Sequence, residues 1–162
     1  MPFAPFTAKF RELGIAETRV LTALNLPGVI PGEYALMELY CDEPGCDCRR
    51  VLFSVHRRGS KIPEAVIGYG WESIEFYSQW LGRDDPKAIR EMQGPSLNPI
   101  SPQSSMAPAL LQQMPFILQD IKYVERLKRH YAMFRAEVEQ GTGTSSRRQL
   151  PPKRRKASRK LR

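Results

Sequence analysis

Three cysteines packed into eight residues constrain this chain more than any other feature. They lie in Cys41-Asp42-Glu43-Pro44-Gly45-Cys46-Asp47-Cys48 and are the only cysteines in 162 residues. Apolar, β-branched and aromatic runs flank them, at residues 33–40 and 51–55, and Pro44-Gly45 between is a strong turn signal. The pattern predicts two strands of a hairpin joined by a cysteine-bearing knuckle. Disulfide pairing suits it poorly, because one thiol is always left over. Three thiolates on a tight turn suit a soft divalent ion, zinc above all, which takes sulfur ligands in tetrahedral array.

Length and charge bound the rest. A chain of this size, 41% hydrophobic and 26% charged, fits one soluble globular domain with its own core. The net charge of +8 is lopsided. Residues 141–162 hold nine Lys/Arg and no acid, whereas residues 1–140 hold 16 basic against 17 acidic side chains. The division predicts a single zinc-binding domain over 1–140 and a disordered basic tail over 141–162. Residues 1–14 lack the apolar core of a secretory signal. The longest uncharged run, 92–119, is broken by five prolines, so it does not read as a membrane span. An odd cysteine count without a signal predicts a reducing, cytoplasmic setting.

In chain order, residues 2–14 predict a short helix capped by Thr7 and ended by Gly14. Residues 17–24 fit a strand or a helical turn. Strands over 32–41, 49–58 and 64–71 make an antiparallel meander. Ser73 caps a helix over 73–81; Asp85-Pro86 opens another, which Gly94-Pro95 stops. A loop over 95–105 leads to a short helix over 106–116, limited by Pro108 and Pro115. Ile117, Ile121, Val124, Leu127, Tyr131, Phe134 and Val138 then step by three or four residues. They form one stripe of a helix about five turns long, ended by Gly141. Glu125–Arg129 and Arg135–Glu139 are i,i+4 pairs on its wet side. The fold class is α+β: a small antiparallel meander with a zinc knuckle, packed by short helices and a long C-terminal one.

Cys41, Cys46 and Cys48 leave one tetrahedral position to fill. His56 lies on a strand that would carry it roughly 26 Å from Cys48, against zinc–ligand bonds of about 2 Å. His130, on the flank of the long helix beside Tyr123, is the expected fourth ligand. Asp42, Glu43, Asp47 or a water are the remaining candidates. A site of three cysteines and a histidine is typically closed and structural, so the ion reads as a fastener between the knuckle and the long helix.

Around these cysteines, in Glu38-Leu39-Tyr40-Cys41-Asp42-Glu43-Pro44-Gly45-Cys46-Asp47-Cys48-Arg49-Arg50-Val51, the chain resembles a group of short, functionally unassigned bacterial proteins. The resemblance extends through Ile67-Gly68-Tyr69-Gly70-Trp71-Glu72-Ser73 and Tyr123-Val124-Glu125-Arg126-Leu127-Lys128-Arg129-His130-Tyr131, and implies no activity. The Cys-x-Cys pair also looks like part of a SWIM or SEC-C zinc module, without the later Cys-x-His or Cys-Cys/His pair of those modules.

Gly68-Tyr69-Gly70-Trp71 reads either as a base-stacking platform or as strand glycines that admit a close neighbour, and the second is favoured. Phe76-Tyr77-x-x-Trp80 reads as packing. No phosphate loop or Gly-x-Ser-x-Gly motif is present. The tail residues Arg147, Arg148, Lys153, Arg154, Arg155, Lys156, Arg159, Lys160 and Arg162 suit polyanions through counterion release. The resulting expectation is a non-enzymatic, zinc-stabilised adaptor that meets DNA, RNA or a nucleoprotein through its tail. The alternatives are a metal- or thiol-dependent hydrolase using Cys48 or the ion, and a redox or zinc sensor.

Overall fold

The computed structural model describes residues 2–145, with side chains through residue 142. Among these, β1 (Phe3–Pro5), β2 (Arg19–Ala23), β3 (Gly32–Cys41), β4 (Arg50–Arg57), β5 (Ala65–Gly70) and β6 (Ser96–Leu97) form one antiparallel sheet. Its order is β1-β3-β4-β5-β6, and β2 shares the outer edge of β3 with β1. Residues 32–36 of β3 pair with β2, and residues 39–41 pair with β1. The expected meander is therefore β3-β4-β5, extended by three shorter strands. The helices are α1 (Arg11–Glu17), α2 (Ile74–Leu81), α3 (Pro86–Gln93), α4 (Ala107–Leu111), α5 (Met114–Ile117) and α6 (Ile121–Ser145).

The sheet has two faces of different character because side chains alternate along each strand. Tyr34, Leu36 and Tyr40 of β3 share one face with Phe53 and Val55 of β4 and Ile67 of β5. They are buried in one core with Leu110, Met114, Tyr123, Leu127, Phe134 and Val138. Removing this apolar area from water is the main stabilising term. On the other face Leu39 opposes Leu52, and Leu52 opposes Gly68. Helices α2 and α3 cover its β5 end. Both start as expected: Ser73 accepts a hydrogen bond from Phe76 N at 3.2 Å, and Asp85 accepts one from Ala88 N at 3.0 Å.

Several local expectations are corrected. Gly14 lies inside α1 instead of ending it, and glycine fits there because a Cβ would stand 2.6 Å from Thr7 Cγ2. Thr7 caps no helix; it sits in a 3-10 turn at Phe6–Ala8, and α1 has no side-chain cap. Pro108 and Pro115 occupy first turns of α4 and α5, so they start two helices where one was expected.

The buried side of α6 is also turned from the expected stripe. Ile121 is 77% exposed, while Tyr123, Leu127, His130, Phe134 and Val138 are buried. Asp120 caps this helix through Tyr123 N at 3.2 Å, and Ile117 belongs to α5. Gly141 does not end α6, which continues to Ser145. A helical glycine costs only about 1 kcal/mol, and Gly141 is not left-handed.

Two glycine substitutions test this description by chemical denaturation. A Cβ at Gly70 would overlap the Tyr77 hydroxyl, so Gly70→Ala should destabilise by about 1–3 kcal/mol. Nothing lies within 4 Å of a Cβ at Gly141, so Gly141→Ala should stabilise by up to about 0.5–1 kcal/mol. A loss of stability in Gly141→Ala would mean that α6 stops there.

Candidate metal centre

The knuckle leaves β3 at Cys41 and enters β4 at Arg50. Gly45 takes φ 73° at its tip, and Arg49 takes φ 48° where the chain turns back into β4. The left-handed residue at 49 is held from two sides. Its N–H donates to Tyr131 Oη at 3.2 Å, and its carbonyl accepts from Tyr77 Oη at 2.8 Å. Its guanidinium meets Asp47 at 2.9 Å and Glu72 at 3.1 Å, and lies 4.7 Å from the centre of the Phe76 ring. These contacts fold the loop so that Cys41, Cys46 and Cys48 converge. The three sulfurs lie within 4.8 Å of one another.

Sulfurs about 2.3 Å from a tetrahedral zinc stand about 3.8 Å apart, so the trio needs little contraction to hold an ion. All three cysteines are free of disulfides. Cys41 and Cys48 are fully buried, and Cys46 is half-buried. Burial, ahead of the charges of the neighbouring thiols, pushes Cys48 up to about 12, and burial also raises Cys41. Without metal Cys41 and Cys48 are protonated thiols, so an entering ion must displace their protons.

Helix α6 carries the knuckle on one face through residues spaced four apart. Tyr131 bonds Arg49 N as above. Arg135 Nη1 donates to Cys41 O at 2.8 Å, and Gly45 N donates to Glu139 Oε1 at 2.8 Å. Arg135 is only 9% exposed, so Arg135–Glu139 is not a wet-side pair but the clamp under the cysteines. Sequence spacing shows the pair; it cannot show that a loop 94 residues earlier lands on it.

His130 does not join the thiols. Its Nδ1 lies 2.6 Å from Glu38 Oε2 and its Nε2 lies 2.6 Å from Glu17 Oε2. Both ring nitrogens are taken by carboxylates, and the ring is stacked on Phe6 with centroids 4.1 Å apart. The expected fourth ligand is corrected on this ground: the metal-capable group among the described residues is the three cysteines alone. His56, as expected, is elsewhere. It pairs across the sheet with Ala35 and bonds Ser54 Oγ at 2.8 Å. Asp47 is committed to Arg49, whose hydrogen bonds hold its carboxyl below the usual range. The cluster opens on the side of Cys46, toward a depression lined by Glu43, Gly45, Asp47 and Trp80. Residues 143–162 contain no Cys, His, Asp or Glu side chain, which leaves Asp42, Glu43, water or another molecule to complete a tetrahedral set.

The other motifs resolve as packing. Gly68 admits the Arg50 guanidinium and Gly70 admits the Tyr77 ring. Tyr69 and Trp71 pack against the core, with Trp71 edge-on to Tyr131 at 5.2 Å, so they present no pair of open faces to a base. The nine basic tail residues, Arg147 through Arg162, lie outside the described residues. No helix among the described residues is long and apolar enough to cross a membrane. No family model, curated protein or solved structure matches this chain.

Reduced protein should bind about one equivalent of zinc per chain, measured by elemental analysis after dialysis, and Cys48→Ser should reduce this sharply. With Cys41 and Cys48 protonated beforehand, apparent affinity should fall as pH falls, by up to about 100-fold per unit for the two protons they release. His130→Ala should act differently. It leaves the carboxylate of Glu38, 5% exposed, with the Tyr40 hydroxyl as its one remaining partner, so the loss should be about 3–5 kcal/mol of stability. Zinc affinity measured below the melting transition should change only a few-fold. A large loss of affinity in a still-folded His130→Ala protein would restore it as a ligand.

Proposed function

We propose that the protein is a non-enzymatic, zinc-stabilised adaptor that associates with DNA, RNA or a nucleoprotein through its basic C-terminal segment. The observation that supports the first part is the thiol trio, two of its members fully buried, docked on Tyr131, Arg135 and Glu139 of α6. Zinc held by Cys41, Cys46 and Cys48 would fasten the knuckle to that helix. Sulfur-rich coordination leaves little Lewis acidity for a substrate. Free thiols that must stay reduced to hold an ion fit a cytoplasmic setting.

The second part rests on charge segregation. All the excess cation lies at Arg147 and beyond, with no acid to neutralise it, and such a segment binds phosphate backbones without reading sequence. The hydrolase alternative is weakened at its chosen reagent. Cys48 is inaccessible and its thiol is raised by burial, whereas a nucleophilic cysteine is accessible and lowered. A sensor would have to work through Cys46, the one thiol that reaches the surface.

Deleting residues 146–162 removes all nine cations and leaves the described domain whole. Full-length protein should bind a labelled oligonucleotide, losing on the order of 10³-fold or more in affinity between 50 and 200 mM salt. The truncated protein should keep its melting temperature and lose this binding. Equal binding by the truncated protein would move the contact to the folded domain and end the adaptor reading in this form.

A further inference from the structure

On the face of the sheet turned away from α6, a cavity of about 460 Å³ lies between the strands and the α3–β6 segment. This is within the size range of small-molecule sites, and it takes no part in the metal or tail readings above. Its walls are largely apolar, with Leu39, Leu52, Val66, Met92 and Leu97 among the lining residues. One cation, Arg50, is built into it.

Arg50 is 8% exposed. Its Nε donates to Met92 O at 2.6 Å and its Nη2 to Glu91 O at 3.3 Å, so it also caps the carbonyl end of α3. A Cβ at residue 68 would stand 2.6 Å from Nη2, so the glycine makes room for the guanidinium where it crosses β5. Among the described residues no carboxylate pairs with Arg50, and Nη1 has no hydrogen-bond partner. A buried charge left with neutral partners alone is costly, and an unused guanidinium edge is shaped for a carboxylate. The acid at the cavity, Glu91, is 45% exposed and stands 3.9 Å from Lys87. Arg83, also lining the cavity, is 65% exposed and already lies 3.8 Å from Asp85.

We propose that this cavity binds a small amphipathic carboxylate, its headgroup on Arg50 Nη1 and its hydrocarbon body against Leu52, Val66 and Leu97. One guanidinium edge matches one planar monoanion, and the apolar walls need a hydrocarbon to cover them. Recognition is by charge at one end and burial at the other.

The test is calorimetric titration of full-length protein with octanoate and with octan-1-ol, its uncharged counterpart of equal length. Octanoate should bind one to one, at least tenfold tighter than octanol. Arg50→Met should remove that preference while leaving octanol within about threefold. A purely structural Arg50 would lower the melting temperature without touching the preference. Should Arg50→Met fail to fold, Ile100→Glu supplies the second variant. Ile100 lines the cavity yet is 88% exposed, so a negative charge there should weaken octanoate at least threefold and spare octanol. Equal affinity for the two probes, no binding of either, or an octanoate preference unchanged by Arg50→Met or by Ile100→Glu overturns the proposal. A preference that survives in Arg50→Met would place the anion on other cations, the basic tail included.

Discussion

A buried imidazole with a carboxylate on each ring nitrogen sets the geometry of this molecule. His130 is 1% exposed and joins Glu17 at the end of α1 to Glu38 in the middle of β3. Tyr40 adds a hydroxyl donated to the same Glu38 oxygen at 2.8 Å. The two nitrogen–oxygen contacts, each 2.6 Å, pin the imidazole at both ends. The consequence reaches the cysteines. Fixing the rotation of α6 at His130 turns the next position, Tyr131, and with it Arg135 and Glu139, under the knuckle. The histidine thus positions the metal centre without touching it.

The parts of this structure legible in the sequence are those encoded by neighbours along the chain. The alternation of β3, the Pro-Gly turn, the Ser73 and Asp85 caps and the convergence of three nearby cysteines all depend on local chemistry. The features that differ from the sequence expectation depend on partners far away. His130 looked like a ligand because histidine beside an apolar stripe has few other evident uses; its partners are 92 and 113 residues distant. Arg135 looked solvated for the same reason. Gly14 and Gly141 read as helix ends because glycine often is one, yet one makes room for Thr7 and the other sits harmlessly on an open surface.

The two glycines of β5 show how a sheet can be made to carry different chemistry on its two sides. Gly68 and Gly70 point away from the core, and each gives its space to a side chain from elsewhere, Arg50 and Tyr77. Tyr77 spends its hydroxyl on the carbonyl of Arg49, which braces the knuckle from the side opposite α6. Arg50 follows directly in sequence and turns toward α3 instead. Two adjacent arginines thus divide the work. One closes the loop that gathers the cysteines, and the other brings a charge to the opposite side of the sheet.

The way β3 is shared has a consequence for association. Its outer edge is divided between a strand of three residues that ends in Pro5 and one of five, and the far border of the sheet is the two-residue β6. A foreign strand therefore finds only short ladders on which to add, and one of them contains a residue that cannot donate. Recruitment by strand addition, one way in which an open sheet captures an extended peptide, has little purchase on these edges. Self-templated stacking into fibrils is discouraged by the same economy of edges.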